Sequence, residues 1–484
     1  MRFRNTIIVL VLLVLIGGYA YFSSNQPVEQ KNKLFNIRPE DIATITLKYP
    51  EREIELARQA DKWTLVKPIA AKADDNTANN VARAIADCEI KKTLEETPAN
   101  LAPFGLAKPD LIVTVTTADK KTLPGIEVGK TTPVGFSAYI KTTDKPDVML
   151  TSSAFPPAVK KTVDELRNRE LVKFAFDEVH KLTLDRGDGN LIELDNDHGV
   201  WTIVKPAKYA TDAAAVQQLL TSLNGSRIDE FVTEHPDNLS NFGLDKPRFT
   251  ISVVVGKEAA RQSLVFGAKE SGTDKDVVYV RRDESAPVYT VQRWTLSELD
   301  KSANDLRDKT LMAFEPAQVE RVKIDAGAKS FMLERSAEGK WQVVQGSKKV
   351  PADAVSVVKF LDKVRDAKGK SIAEDPMSDA KKFGLDAPAE VMTLNSKDGK
   401  VIGELKLAKV ERRNETGGAT PAPVTRIDYY AISSASSAVF TLDNLEFDEL
   451  TGSAKEFIPK EAETPAPAAS PAASLAKPAP SATK

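Results

Sequence analysis

Three histidines, one cysteine and one acidic glycine-rich loop are the residues through which this chain could do chemistry. His180, His198 and His235 fall close together in the sequence, but none stands in an H-E-x-x-H or H-x-H arrangement or beside an aspartate at metal-ligand spacing. His198 sits in Asp195-Asn196-Asp197-His198-Gly199 between two runs of strand character, where a hairpin turn explains it better than a metal site. Asp185-Arg186-Gly187-Asp188-Gly189-Asn190 has the composition of a calcium loop but lacks the D-x-[DN]-x-[DN]-G register and the glutamate at position twelve, so it reads as a turn.

Cys88 is the only cysteine, which excludes an intramolecular disulfide, a C-x-x-C redox pair and a cysteine zinc site. Its setting, Ala84-Ile85-Ala86-Asp87-Cys88-Glu89-Ile90, reads as helix, with the thiol a small buried apolar group. No G-x-S-x-G elbow, Walker loop or G-x-G-x-x-G strand-to-helix turn is present. The expectation is therefore no catalytic, cofactor-binding or metal-binding residues. An unrecognised hydrolase would have only the three histidines to draw on.

The elements around these residues set the organisation. A chain of 484 residues is too long for one core, and 42% apolar with 28% charged residues is ordinary globular composition. Lys plus Arg (67) nearly balances Asp plus Glu (69), so a nucleic-acid partner is not expected.

Residues Thr6 to Phe22 form an almost unbroken apolar run after Arg2 and Arg4. At about 1.5 Å per residue the run is just long enough to cross a bilayer core of about 30 Å. The run reads as a transmembrane signal anchor over residues 6–22, with 1–5 cytoplasmic and the rest translocated. No A-x-A site follows that would mark a cleaved signal peptide.

Self-comparison gives a triplication. Phe104-Gly105-Leu106 recurs as Phe242-Gly243-Leu244 and Phe383-Gly384-Leu385, at intervals of 138 and 141 residues. Trp63, Trp201 and Trp341 return at intervals of 138 and 140 residues. Two landmarks with one period define repeat units at 34–173, 174–313 and 314–458, opening at Phe35, Phe174 and Phe314. A Pro/Ala-rich tail over 459–484 is expected to be disordered.

Within each unit, alternating runs such as Ile45-Thr46-Leu47 and Ile54-Glu55-Leu56 join the tryptophan strand in a meander. Amphipathic helices are expected over Thr77 to Ile90, Asp212 to Asn224 and Asp353 to Asp366, with apolar stripes at Val216, Leu219, Leu220 and Leu223 and at Val355, Val358 and Leu361. Charged helices over Val159 to Leu171 and Leu296 to Leu311 close the first two units. The glycines of the Phe-Gly-Leu element suit φ > 0, and the row of tryptophans reads as core rather than as a ligand platform. The fold class is α+β, an N-terminal transmembrane helix followed by three tandem repeats of a mostly antiparallel sheet with two helices each. Glu411 to Thr425 reads as an inserted surface loop of the third unit.

The anchor, the tandem units and the ordered tryptophan and Phe-Gly-Leu landmarks resemble the DUF4340 family of bacterial envelope proteins, from Phe35 to about Ile458. The third unit departs from the pattern, with Val344-Gln345-Gly346 where the first has Val66-Lys67-Pro68. The resemblance supplies no catalytic residues. It implies neighbours among ABC transporter permeases and gliding-motility-type auxiliary subunits, and hence protein partners in the same membrane. The functional expectation is a non-catalytic accessory, binding or scaffold subunit, anchored in the cytoplasmic membrane with its bulk in the periplasm or outside the cell. The alternative is an independent envelope module that binds peptidoglycan or polysaccharide.

Overall fold

The computed structural model describes residues 32–95, 98–270, 276–283, 285, 287–413 and 425–459. The expected anchor over 6–22 and the tail beyond Pro459 lie outside the described residues. Among the described residues, no helix is long and apolar enough to cross a membrane.

Nine strands make the first sheet: β1 (Ile42–Lys48), β2 (Glu53–Gln59), β3 (Lys62–Lys67), β4 (Ala71–Lys72), β5 (Lys92–Glu95), β6 (Leu111–Thr117), β7 (Ile126–Thr131), β8 (Ser137–Thr142) and β9 (Val148–Ser152). Their spatial order is β4-β3-β2-β1-β6-β7-β8-β9-β5, so two meanders meet at β1 and β6 and β5 closes the far edge. Ile45 faces Leu56 on β2 and Val115 on β6, while Leu56 faces Leu65 on β3. All four side chains are buried, so the period-two pattern of each strand lines one face of the sheet. The second and third sheets repeat the nine-strand order with antiparallel pairing.

One helix covers the apolar face of the first sheet. Asp75–Ala86 turns Ala78, Val81, Ala82 and Ile85 inward, and the Asp74 carboxylate caps it by accepting from Thr77 N at 2.7 Å. Each fully buried Val or Ile there contributes about 1.5–3 kcal/mol, more than helix propensity offers a 12-residue segment, so packing decides that this helix forms. Cys88 lies just beyond the helix, which stops at Ala86 with Asp87 as its cap; the thiol is buried, but not in a helix as expected.

Ala213–Gly225 carries the expected buried stripe of Val216, Leu219, Leu220 and Leu223. Ala354–Asp366 does not carry the expected one. Val357, Phe360, Leu361 and Val364 face inward, whereas Val355 and Val358 are 60% and 47% exposed. The inward set is a complete i, i+3, i+4, i+7 series, and Val355 and Val358 fall on the neighbouring face.

The closing helices differ from expectation as well. Phe155–Val159 ends at Lys160, and Thr162 starts a fresh helix, Val163–Leu166, through a capping box in which Glu165 accepts from Thr162 N at 2.7 Å. Ser302 and Asp305 build the same box after Arg293–Leu299 and open Ala303–Leu306. The first two repeats thus hold three α-helices each. The third holds two, Ala354–Asp366 and Asn444–Leu450, which makes eight among the described residues. Its inserted segment is partly strand, since Val401–Arg413 and Thr425–Ser433 pair from Leu405↔Ser433 to Arg413↔Thr425; residues 414–424 lie outside the described residues.

The described chain gathers into two compact units. One combines the first repeat with Leu223–Arg248 and Gln262–Leu296; the other combines Phe174–Ser222 and Phe249–Arg261 with the third repeat. Each contains a junction between successive repeats, built to one plan. In the first unit Leu171 N donates to Ser226 O and Ile228 N to Arg169 O, while the Arg167 guanidinium meets Glu234 at 2.6 Å and lies 3.6 Å from the centre of the Phe231 ring. In the second unit Leu311 N donates to Ala367 O and Gly369 N to Lys309 O, while Arg307 meets Asp375 at 2.6 Å and lies 3.7 Å from the Tyr209 ring.

Candidate functional site

The Phe-Gly-Leu motif is structural. Gly105, Gly243 and Gly384 take φ of +73°, +67° and +68°, a conformation that L side chains rarely adopt, so glycine is required there. The turn drives each phenylalanine edge-on into a tyrosine: Phe104 on Tyr139, Phe242 on Tyr279 and Phe383 on Tyr430, with ring centroids 5.1, 5.0 and 5.0 Å apart. The leucines Leu106, Leu244 and Leu385 are buried behind them. Such a locked aromatic pair stabilises by about 0.5–1.5 kcal/mol beyond its buried area.

Of the candidate chemical residues, Cys88 is inert. Burial pushes its thiol up to about 11, against a weaker opposing contact with the Thr151 hydroxyl, so it carries little thiolate at neutral pH. The acidic loop is a turn. Asp185 Oδ1 accepts from Gly187 N, and Asn190, through its N–H and then its side chain, holds the Asp188 carboxyl below the usual carboxylate value. Arg186 of that loop is engaged with Asp300 at 2.6 Å. Among the described residues no three His, Cys, Asp or Glu side chains are grouped to hold a metal ion.

Two of the three histidines come together. His180, on the strand Val179–Asp185, and His198, in the turn after the strand Leu191–Asp197, line one open groove of about 750 Å³ with Trp201. His198 adopts φ of +50°, as a tight hairpin turn demands, and its Nδ1 lies 2.6 Å from Asp197 Oδ1. His235 is exposed and is not among the groove residues.

The groove exists because the second tryptophan is not covered as the others are. Trp63 and Trp341 are 2% and 5% exposed, whereas Trp201 is only half-buried. Cross-strand register explains the difference. Arg58 sits opposite Trp63 with its guanidinium 5.5 Å from the ring centre, and Arg335 sits opposite Trp341 at 4.7 Å. Opposite Trp201 stands Asn196, whose amide turns back to donate to Val179 O at 2.8 Å.

The first repeat also closes over its tryptophan from the helix side. Asn79 Oδ1 accepts from Trp63 Nε1 and Asp75 Oδ1 from Trp63 N, both at 2.8 Å. At the equivalent helix positions the second repeat has Gln217 and Ala213, both of which line the groove. Among the described residues no side-chain or backbone group is bonded to Trp201 Nε1. The expectation that all three tryptophans are core is therefore correct for two and needs revision for Trp201.

The repeat structure coincides with a family signature. A sequence profile described as Domain of unknown function (DUF4340) matches residues 63–200, 201–349 and 341–469. The chain belongs to the DUF4340 family. Each DUF4340 match opens on one of the three tryptophans, so the family's signature is phased on the tryptophan strand while each sheet begins two strands earlier. No curated protein matches the chain. In this DUF4340 protein the Trp201 groove could hold a ligand with both an apolar face and hydrogen-bonding edges, because its walls are aromatic, amide, imidazole and carboxylate, without lysine or arginine among the described residues.

Proposed function

We propose that this DUF4340 protein is a non-catalytic accessory subunit of a membrane complex of the ABC-type export or gliding-motility kind. In this reading the segment Thr6 to Phe22 anchors it, and the three repeats are presented outside the cytoplasmic membrane as a binding or scaffolding array.

The observation that carries the reading is the twice-built junction. Arg167 and Arg307 are 7% and 11% exposed at the side chain and each is held by an acid of the next repeat. At the equivalent place in the third repeat, after the last capping box, the chain has Ile458 instead. The arginine thus stands at both places where one described repeat meets the next. A chain that fixes successive domains to each other by buried charge holds their outer surfaces in register, which serves scaffolding and does nothing for chemistry within a domain. The apolar N-terminal run and the family resemblance supply the membrane part of the reading.

Copurification tests it. The tagged full chain, extracted in mild detergent from native membranes, is expected to bring down a transporter permease or ATPase component. Recovery with no transporter component would count against the proposal.

A further inference from the structure

The geometry points to the Trp201 groove as a saccharide-binding site, recognising one or two pyranose units of a neutral glycan. This inference is independent of the accessory-subunit reading, because it concerns what one repeat binds and not what the chain assembles with.

A pyranose ring shows a protein two kinds of surface: a face of C–H groups, and a rim of hydroxyls that each donate and accept. The first calls for an aromatic plane. The second calls for flat polar side chains that can do both jobs at an edge. The groove supplies these together. Trp201 offers an indole face freed of its arginine and an N–H with no partner among the described residues, and Phe176, 39% exposed, adds a second ring. Asp177, His180 and Gln217 are exposed around the rings, where their planar groups can reach the rim of a sugar.

The charge pattern narrows the class. Among the described residues the groove is lined by no lysine or arginine, and the carboxylates Asp177 and Asp197 are the formal charges there. Phosphate, sulfate and nucleotide ligands are therefore disfavoured by repulsion, while a neutral hydroxyl-rich ligand is accepted. The volume of about 750 Å³ suits one or two rings.

Comparison within the chain shows that the opening is specific to this repeat. The same strand pair in the first and third repeats is shut by Arg58 and Arg335 lying over the indole. Arg58 also reaches Pro39 O at 3.3 Å, and Pro39 aligns with Phe176, each opening the short turn before the first strand of its sheet, so an arginine at position 196 has a ready acceptor. The second repeat carries asparagine there and its groove takes in the tryptophan, whereas the groove of about 590 Å³ beside Arg335 in the third repeat is not lined by Trp341 among the described residues.

The test titrates the full chain with tetra-N-acetylchitotetraose and with cellotetraose, following tryptophan fluorescence and calorimetry. Preference for the acetylated oligomer identifies a peptidoglycan-type source, and preference for the plain hexose oligomer a polysaccharide. Saturable binding of either is expected, weakened at least tenfold in Trp201→Ala and in Asn196→Arg. Trp294→Ala, which removes a tryptophan 62% exposed elsewhere on the surface, should leave it unchanged. Circular dichroism and melting of each variant show that the fold is kept, and Gln217→Ala gives a milder lesion if Asn196→Arg disturbs the turn. Absence of saturable binding by both oligomers, equal binding by Trp201→Ala, or displacement of the sugar by choline but not by other sugars would each overturn the assignment.

Discussion

Arg307 of the second repeat and Asp375 of the third stand 68 residues apart in sequence and 2.6 Å apart in space, each about one-tenth exposed. Burial alone would raise the Asp375 carboxyl. The Ser437 hydroxyl and the Arg307 guanidinium outweigh that and leave it below the usual carboxylate value. Removing one partner of such a pair strands a buried charge, with a penalty of about 3–5 kcal/mol. Arg307→Ala is therefore expected to lower the unfolding free energy by about 3 kcal/mol in denaturant titrations. Arg167→Ala should lower it less, because its partner Glu234 is 32% exposed and can recover solvent. Equal or negligible losses would remove the junction from the account.

Glu390 offers a second test, since it is a carboxylate in a core position. It is 3% exposed, and at the equivalent place in the Phe-Gly-Leu frame the first repeat has Leu111 and the second Phe249, both buried. Loss of water raises its carboxyl to about 7, with Glu456 adding to the rise and the Gly452 N–H opposing it. A carboxyl that binds its proton more tightly in the native state favours folding at low pH. That contribution is complete below about 4.5, its ordinary value, and is lost as pH rises through about 7. Glu390→Leu should therefore raise stability at pH 8 by about 3 kcal/mol and change it far less at pH 4. Melting curves of both proteins at the two pH values check this; an equal effect at both would show that Glu390 titrates normally.

The thiol at Cys88 makes a third prediction. Being buried and held at about 11, it should resist maleimide in the native protein at pH 7.5 and react within minutes once the chain is unfolded. Rapid native labelling, followed by mass spectrometry, would show that the first repeat opens around the end of its helix.

The triplication was readable from sequence because its landmarks are rigidly spaced. A glycine at positive φ and a tryptophan on a strand tolerate few substitutes, so Gly105, Gly243 and Gly384 and the three tryptophans keep their places. The Tyr139, Tyr279 and Tyr430 partners were harder to see, because the insertion between Arg413 and Thr425 breaks the period before the last of them. The closing helices misled because Thr162 and Ser302 sit inside charged stretches that look helical, yet their side chains start new helices. The groove was hidden for another reason. Trp201 occupies the same kind of strand as Trp63 and Trp341, and what distinguishes it is the residue across the hairpin, Asn196 against Arg58 and Arg335, which acquires meaning only once the register is known. The junction pairs were invisible likewise, since Glu234 and Asp375 lie 67 and 68 residues beyond their arginines.

The proposed role depends above all on which side of the membrane the repeats occupy, and paired topology reporters fused after Pro459 measure that directly. The account predicts high alkaline phosphatase activity and no fluorescence from a green fluorescent protein fusion, in membranes that retain the full-length product. Fluorescence without phosphatase activity would place the three repeats in the cytoplasm and contradict it.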